Sequence, residues 1–253
     1  MHLKPKPEYV DLDADFKPLP KHGHLSQRTP EFAAAKPAII AGYEKLCAAP
    51  DFPAVREMAG DVDAVMPPGG PDRYREVTTE LLQFPARDGE ITSSSLEVDG
   101  AENVHAAVNT NIVVISVKYR NCDGLLWCKN NAKALGIKPR KDHFSQKQCE
   151  SKSSLALEIR DNGITGIVAQ ILHFPVVGHP KFFAGVIQCA GLDILRDEAF
   201  AYAEALETAG VDVEIYGYKG VPHCFPGFLL ASPETAEFYK KYNAFLKKCT
   251  SGS

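Results

Sequence analysis

The chain has 253 residues, 45% hydrophobic and 24% charged, with 28 basic against 32 acidic side chains and a net charge of −4. This is ordinary globular composition, at a length that can bury a core as one large domain. The interspersed charges form no basic stripe for nucleic acid, and no apolar run approaches the ~20 residues of a membrane helix.

Residues 1 to about 27 are rich in Pro, Lys, His and Asp and read as an extended, partly ordered arm, bounded at 28. Thr29-Pro30-Glu31 is a helix start, with Thr as cap and Pro in the first turn. Phe32, Ala35, Ile39, Tyr43 and Leu46 follow at helical spacing, and Pro37 is expected to split that helix. A further short helix is expected over Val55 to Ala64, then a loop at Met66-Pro-Pro-Gly-Gly-Pro71. No strand signal interrupts residues 29–76, which are expected to form a helical cap.

Val77 to Phe84, followed by Pro85 and Asp88-Gly89, reads as a strand and turn. Ile112 to Val117 is a continuous β-branched run, the pattern of a central parallel strand. Asp123 is expected to cap a helix through Leu125, Cys128, Ala132 and Leu135 that Gly136 closes. Ile167–Leu172, Phe183–Gln188 and Val213–Tyr218 read as strands. Asp197 opens a helix ended by Gly210, and Ser232-Pro233 starts the last one. Strands alternating with helices predict a mostly parallel sheet covered on both faces, over residues 77–253.

Seven cysteines without paired spacing, behind an N-terminus lacking an apolar stretch, predict free thiols and a cytoplasmic protein. His105, His173 and His179 have no metal-ligand spacing, and no motif calls for a cofactor.

Ligands of open parallel sheets sit at the carboxyl ends of the strands. Asp193 and His223 each follow a late strand there, and an Asp followed by a later His suits hydroxyl activation. The imidazole takes the proton, and the carboxylate fixes its tautomer and stabilises the imidazolium.

The words around them are more specific than either residue. Gly191-Leu-Asp-Ile-Leu-Arg-Asp-Glu198 resembles the G-x-D-P-L-R-D-E motif, and Gly220-Val-Pro-His-Cys-Phe225 the G-x-x-H-x-F motif, of the hormone-sensitive-lipase-like, fold-3 branch of the α/β-hydrolases. Val113-Val-Ile-Ser-Val-Lys-Tyr-Arg120 is similar to that branch's V-V-S-V-D-Y-R. The resemblance runs, with gaps, from about Phe84 to the C-terminus. It implies an α/β-hydrolase fold and Ser-His-Asp hydrolysis of small carboxylic esters, with Asp193 as triad acid and His223 as base.

Three expected features are missing. No H-G-G-G oxyanion loop lies between Gly89 and Ile112, and the strand before it is not recognised. Arg120 runs straight into Asn121-Cys122-Asp123 without the A-P-E segment. The nucleophile elbow G-x-S-x-G should precede Leu155–Asp161, but Phe144-Ser-Gln-Lys-Gln148 contains neither glycine. Ser145 is the nearest candidate nucleophile. Codons for Lys147-Gln148-Cys149, read one base later, can spell Ser-Ser-Ala, so Lys141 to about Ser154 reads as an out-of-frame copy of the elbow. The expectation is an impaired or inactive, internally truncated hydrolase, or a non-catalytic relative. Deleted strands would leave unpaired edges that invite homo-oligomers.

Overall fold

The computed structural model describes residues 22–59, 66–78, 80–85, 91–96, 105, 107–109, 121–135, 142–147, 167–173 and 185–251. The run Ile112–Val117, the segment Leu155–Asp161 and His179 lie outside them.

Helix α1 spans Pro30–Cys47, with the Thr29 hydroxyl accepting from the Phe32 amide at 3.3 Å. Contrary to the expected break, α1 runs unbroken through Pro37. Proline removes the bond to the carbonyl of Ala33, and both residues are exposed, so that carbonyl faces solvent. α2 (Phe52–Ala59) and the single turn α3 (Arg73–Glu76) follow. β1 (Glu80–Pro85) pairs antiparallel with β2 (Ile91–Leu96), in register Glu80 to Leu96. The Ser-rich β2 carries its large apolar residues only at its two ends, so its sequence shows no alternation. α4 spans Asn121–Asn130, so Asp123 sits inside the helix, and residues 131–135 are turns.

Four parallel strands form the sheet in the order β3 (Asp142–Lys147), β4 (Ile167–His173), β5 (Gly185–Ala190), β6 (Val213–Tyr218). All six residues of β5 are buried, as its apolar run requires. Its alternation divides the core. Ile187 and Cys189 pack with Ala199, Tyr202, Ala203 and Leu206 of α5 (Arg196–Thr208). Val186 packs with Tyr242, Phe245 and Leu246 of α6 (Pro233–Ser251), while Ala190 joins Tyr218, Phe225 and Phe238. The two helices therefore clamp opposite faces of β5.

α6 begins as its sequence requires: Pro233 fills the first turn, and the Ser232 hydroxyl accepts from the Thr235 amide at 3.2 Å. α5 begins one residue before the expected Asp197 and has no side-chain cap. Asp197 and Glu198 instead set negative charge in its first turn, where it suits the helix dipole.

Phe238 is fully buried, tilted against Tyr218 and edge-on to Phe225 and Tyr239. We expect Phe238→Ala to destabilise the fold by about 3–5 kcal/mol in urea unfolding. A loss below about 1 kcal/mol would show that this cluster does not hold α6 to the sheet.

Candidate active site

The β5–β6 ladder ends with Ala190 opposite Tyr218, and main-chain bonds continue it past both strands. The Gly191 amide donates to the Tyr218 carbonyl at 2.7 Å, and the Leu192 amide to the Val221 carbonyl at 3.0 Å. These bonds hold the two carboxyl-end loops side by side. Asp193 stands on one loop and His223 on the other.

His223 Nδ1 donates to Asp193 Oδ2 at 2.6 Å. The other carboxylate oxygen, Oδ1, accepts from the Leu195 amide at 3.0 Å, which fixes the carboxyl plane. The Asp193 side chain is 3% exposed and the imidazole 31%. An acceptor-only carboxylate on Nδ1 places the proton there, leaving Nε2 as the ring's acceptor in the neutral form. Directly after His223, Cys224 takes a left-handed conformation with φ 55°, uncommon for a residue with a side chain. It turns the chain into the 3₁₀ turn Phe225–Gly227, whose Phe225 is fully buried.

The third sequence candidate is placed by strand register alone. Ser145 lies within β3, paired with Ile171, ahead of the strand's end at Lys147. A nucleophile elbow is a strand-to-helix turn, and the carboxyl edge of β3 is reached only after Ser145. Asp142–Lys147 is also a strand that sequence reasoning missed, because its polar residues carry no apolar run.

The model for the α/β hydrolase fold matches residues 180–227, the stretch that holds both Asp193 and His223. That match and the structural neighbours together give the chain the α/β-hydrolase fold. An AB hydrolase superfamily protein of Schizosaccharomyces pombe is 46% identical over 54 residues, which are 21% of this chain and only 16% of that relative. The thermostable esterase of Pseudomonas putida ECU1011 has the same fold at TM-score 0.66 and 14% identity, over 78% of this chain and 89% of that one. The esterase of Pyrobaculum calidifontis does so at TM-score 0.58 and 19% identity, over 68% and 85%. Among the described residues, no helix is long and apolar enough to cross a membrane.

The two loops that carry Asp193 and His223 are held by residues that their motifs did not reveal. Residues 22–28, assigned by sequence to the arm, include a 3₁₀ turn, Gly23–Ser26, packed on the two loops. The Leu25 carbonyl accepts from the Gly220 amide at 2.7 Å, and the Gly220 carbonyl from the Thr29 amide at 3.1 Å. The approach is so close that a Cβ on Gly191 would stand 2.2 Å from the Leu25 carbonyl oxygen, and one on Gly220 2.1 Å from that of Gln27. Gly220 also has φ +71°, so the first glycines of both motifs are held by backbone crowding. No sequence signal links residue 25 to residue 220.

Cys189 beneath the site is an inert core thiol, pushed up to about 12 by burial and then by the charge of Asp193. Arg196 grips Asp197 with two bonds, Nε to Oδ1 at 2.8 Å and Nη2 to Oδ2 at 3.0 Å. The hydrogen bond from Arg196 is the main reason that the Asp197 carboxyl lies below its ordinary range. A carboxyl depressed in the folded state contributes stability above its unfolded pKa and loses it as pH falls through the folded value. The Asp197 side chain is 47% exposed, so solvent screens part of this. We expect unfolding free energy to fall more steeply in the wild type than in Asp197→Asn between about pH 5 and 3, measured by urea titration. Parallel pH profiles would remove this pair from the acid stability of the fold.

Proposed function

We propose that this chain is an ester-hydrolase scaffold that keeps the acid–base half of Ser-His-Asp chemistry and lacks an activated nucleophile. The 2.6 Å bond between His223 Nδ1 and Asp193 Oδ2, at the carboxyl ends of adjacent parallel strands, carries this reading. An imidazole held that way suits removal of a proton from a hydroxyl at Nε2. The exposed Ile194 beside Asp193 suits an apolar acyl or alcohol group, and α1 to α3 would form the cap over residues 29–76. The structural neighbours are esterases, which supports a small carboxylic ester as substrate class.

Phe144-Ser-Gln-Lys-Gln148 lacks both elbow glycines, and no H-G-G-G stretch supplies amides for an oxyanion. Loss of a triad serine costs about 10⁶ in kcat, and each oxyanion donor about 10²–10³. Together these would bring ester turnover down to background. The one-base reading of Lys141 to Ser154 gives this loss a genetic cause, and it predicts a transcript whose shifted frame spells the elbow. Among the described residues, Cys47, Cys189 and Cys249 are free thiols, which supports a reducing, cytoplasmic setting.

We expect short p-nitrophenyl esters to be hydrolysed no faster by the wild type than by His223→Ala. A fluorophosphonate probe followed by peptide mapping should leave Ser145 unlabelled. Stoichiometric label on Ser145 that disappears in His223→Ala, accompanied by a product burst, would overturn the proposal. Replacing residues 141–154 with a segment containing G-x-S-x-G should add His223-dependent turnover.

A further inference from the structure

We propose that Arg196 is a positioning residue for the Asp193–His223 pair, acting through the Gly191 carbonyl and the Ser26 hydroxyl. This rests on the reading of Asp193 and His223 as an acid–base pair.

Arg196 is 6% exposed, so its charge needs partners on every side. Asp197 satisfies one edge of the guanidinium with two bonds. The remaining nitrogen turns to the site. Nη1 donates to the Gly191 carbonyl at 2.9 Å and to Ser26 Oγ at 2.5 Å. Gly191 opens the loop that carries Asp193. Ser26 belongs to the segment whose Leu25 carbonyl and Thr29 amide bracket Gly220, and Gly220 opens the loop that carries His223.

One cation therefore ties the acid's loop directly, and the base's loop through residues 25–29. Stacking of His22 on Phe200 of α5, with ring centroids 3.6 Å apart, fastens the start of the same segment. The Arg196 amide also donates to the Asp193 carbonyl at 3.2 Å, so the residue holds the acid's loop by main chain and by guanidinium. The guanidinium acts on the Gly191 carbonyl, two residues from Asp193, and through Ser26 on the segment that brackets Gly220, three residues from His223, where small displacements change donor–acceptor geometry steeply. A lysine would keep the charge but not the fork that reaches Asp197, Gly191 and Ser26 at once.

The test is the low-field proton NMR resonance of the His223 Nδ1–H in the full chain, assigned by its absence in His223→Gln. We expect Arg196→Met to lose this resonance to exchange with water, Arg196→Lys to restore it in part, and Ser26→Ala to hasten its exchange. Asp197→Asn, which keeps both site contacts of Nη1, should retain it. Far-ultraviolet circular dichroism establishes whether each variant is folded. If Arg196→Met is not, the exposed Ser26→Ala decides. A folded Arg196→Met with the resonance at wild-type shift and exchange rate, or a Ser26→Ala indistinguishable from wild type, overturns the proposal. A wild type without any His223-dependent resonance removes the acid–base pair itself, a different failure.

Discussion

The hydrogen bond between Asp193 and His223 exists only if two loops, thirty residues apart in sequence, end at the same height on the sheet. The parallel register of β5 and β6 sets that height, with Ala190 opposite Tyr218. A slip by one residue would turn every side chain of one strand to the other face and separate the pair. Much of the surrounding structure serves to prevent that slip. β5 is buried along its whole length, its two faces are filled by different helices, and the ladder runs on through Gly191 and Leu192.

Polar groups inside this core reinforce the register. Tyr218 donates from its buried hydroxyl to the Gln188 side chain on the neighbouring strand. A buried amide without such a partner would cost about 1–3 kcal/mol. The pairing therefore favours the observed register over others that would orphan either group. Tyr218 also leans on Phe225 and Phe238, so the strand that leads to His223, the turn that follows it and α6 share one aromatic cluster.

The pairing of Asp193 with His223 was legible in the sequence because each is embedded in a short word of fixed residues. Gly191-Leu-Asp and Gly220-Val-Pro-His mark turns directly after apolar strands, and the structure gives those glycines a concrete reason in the backbone of residues 25–27. Strands β4, β5 and β6 were legible as apolar runs, with β5 displaced by about two residues from its expected span. β2 and β3 were not, because Ile91–Leu96 and Asp142–Lys147 are largely polar and their extended form rests on ladder pairing. The clasp of Ser26, Gly191 and Arg196 was invisible for a similar reason. It is a tertiary contact across 170 residues, made by side chains that look like a solvated arm and a helix start.

Ester hydrolysis of this kind has two chemically separable requirements. A base held by a buried carboxylate can accept a proton, but acyl transfer also needs a hydroxyl beside Nε2 and amides facing the developing oxyanion. The most direct test is a crystal structure of the full chain grown with a phosphonate transition-state analogue. We expect His223 Nδ1 on Asp193 Oδ2 and no serine hydroxyl within hydrogen-bonding distance of Nε2. A covalent phosphonate on Ser145, with main-chain amides around its oxygen, would contradict it.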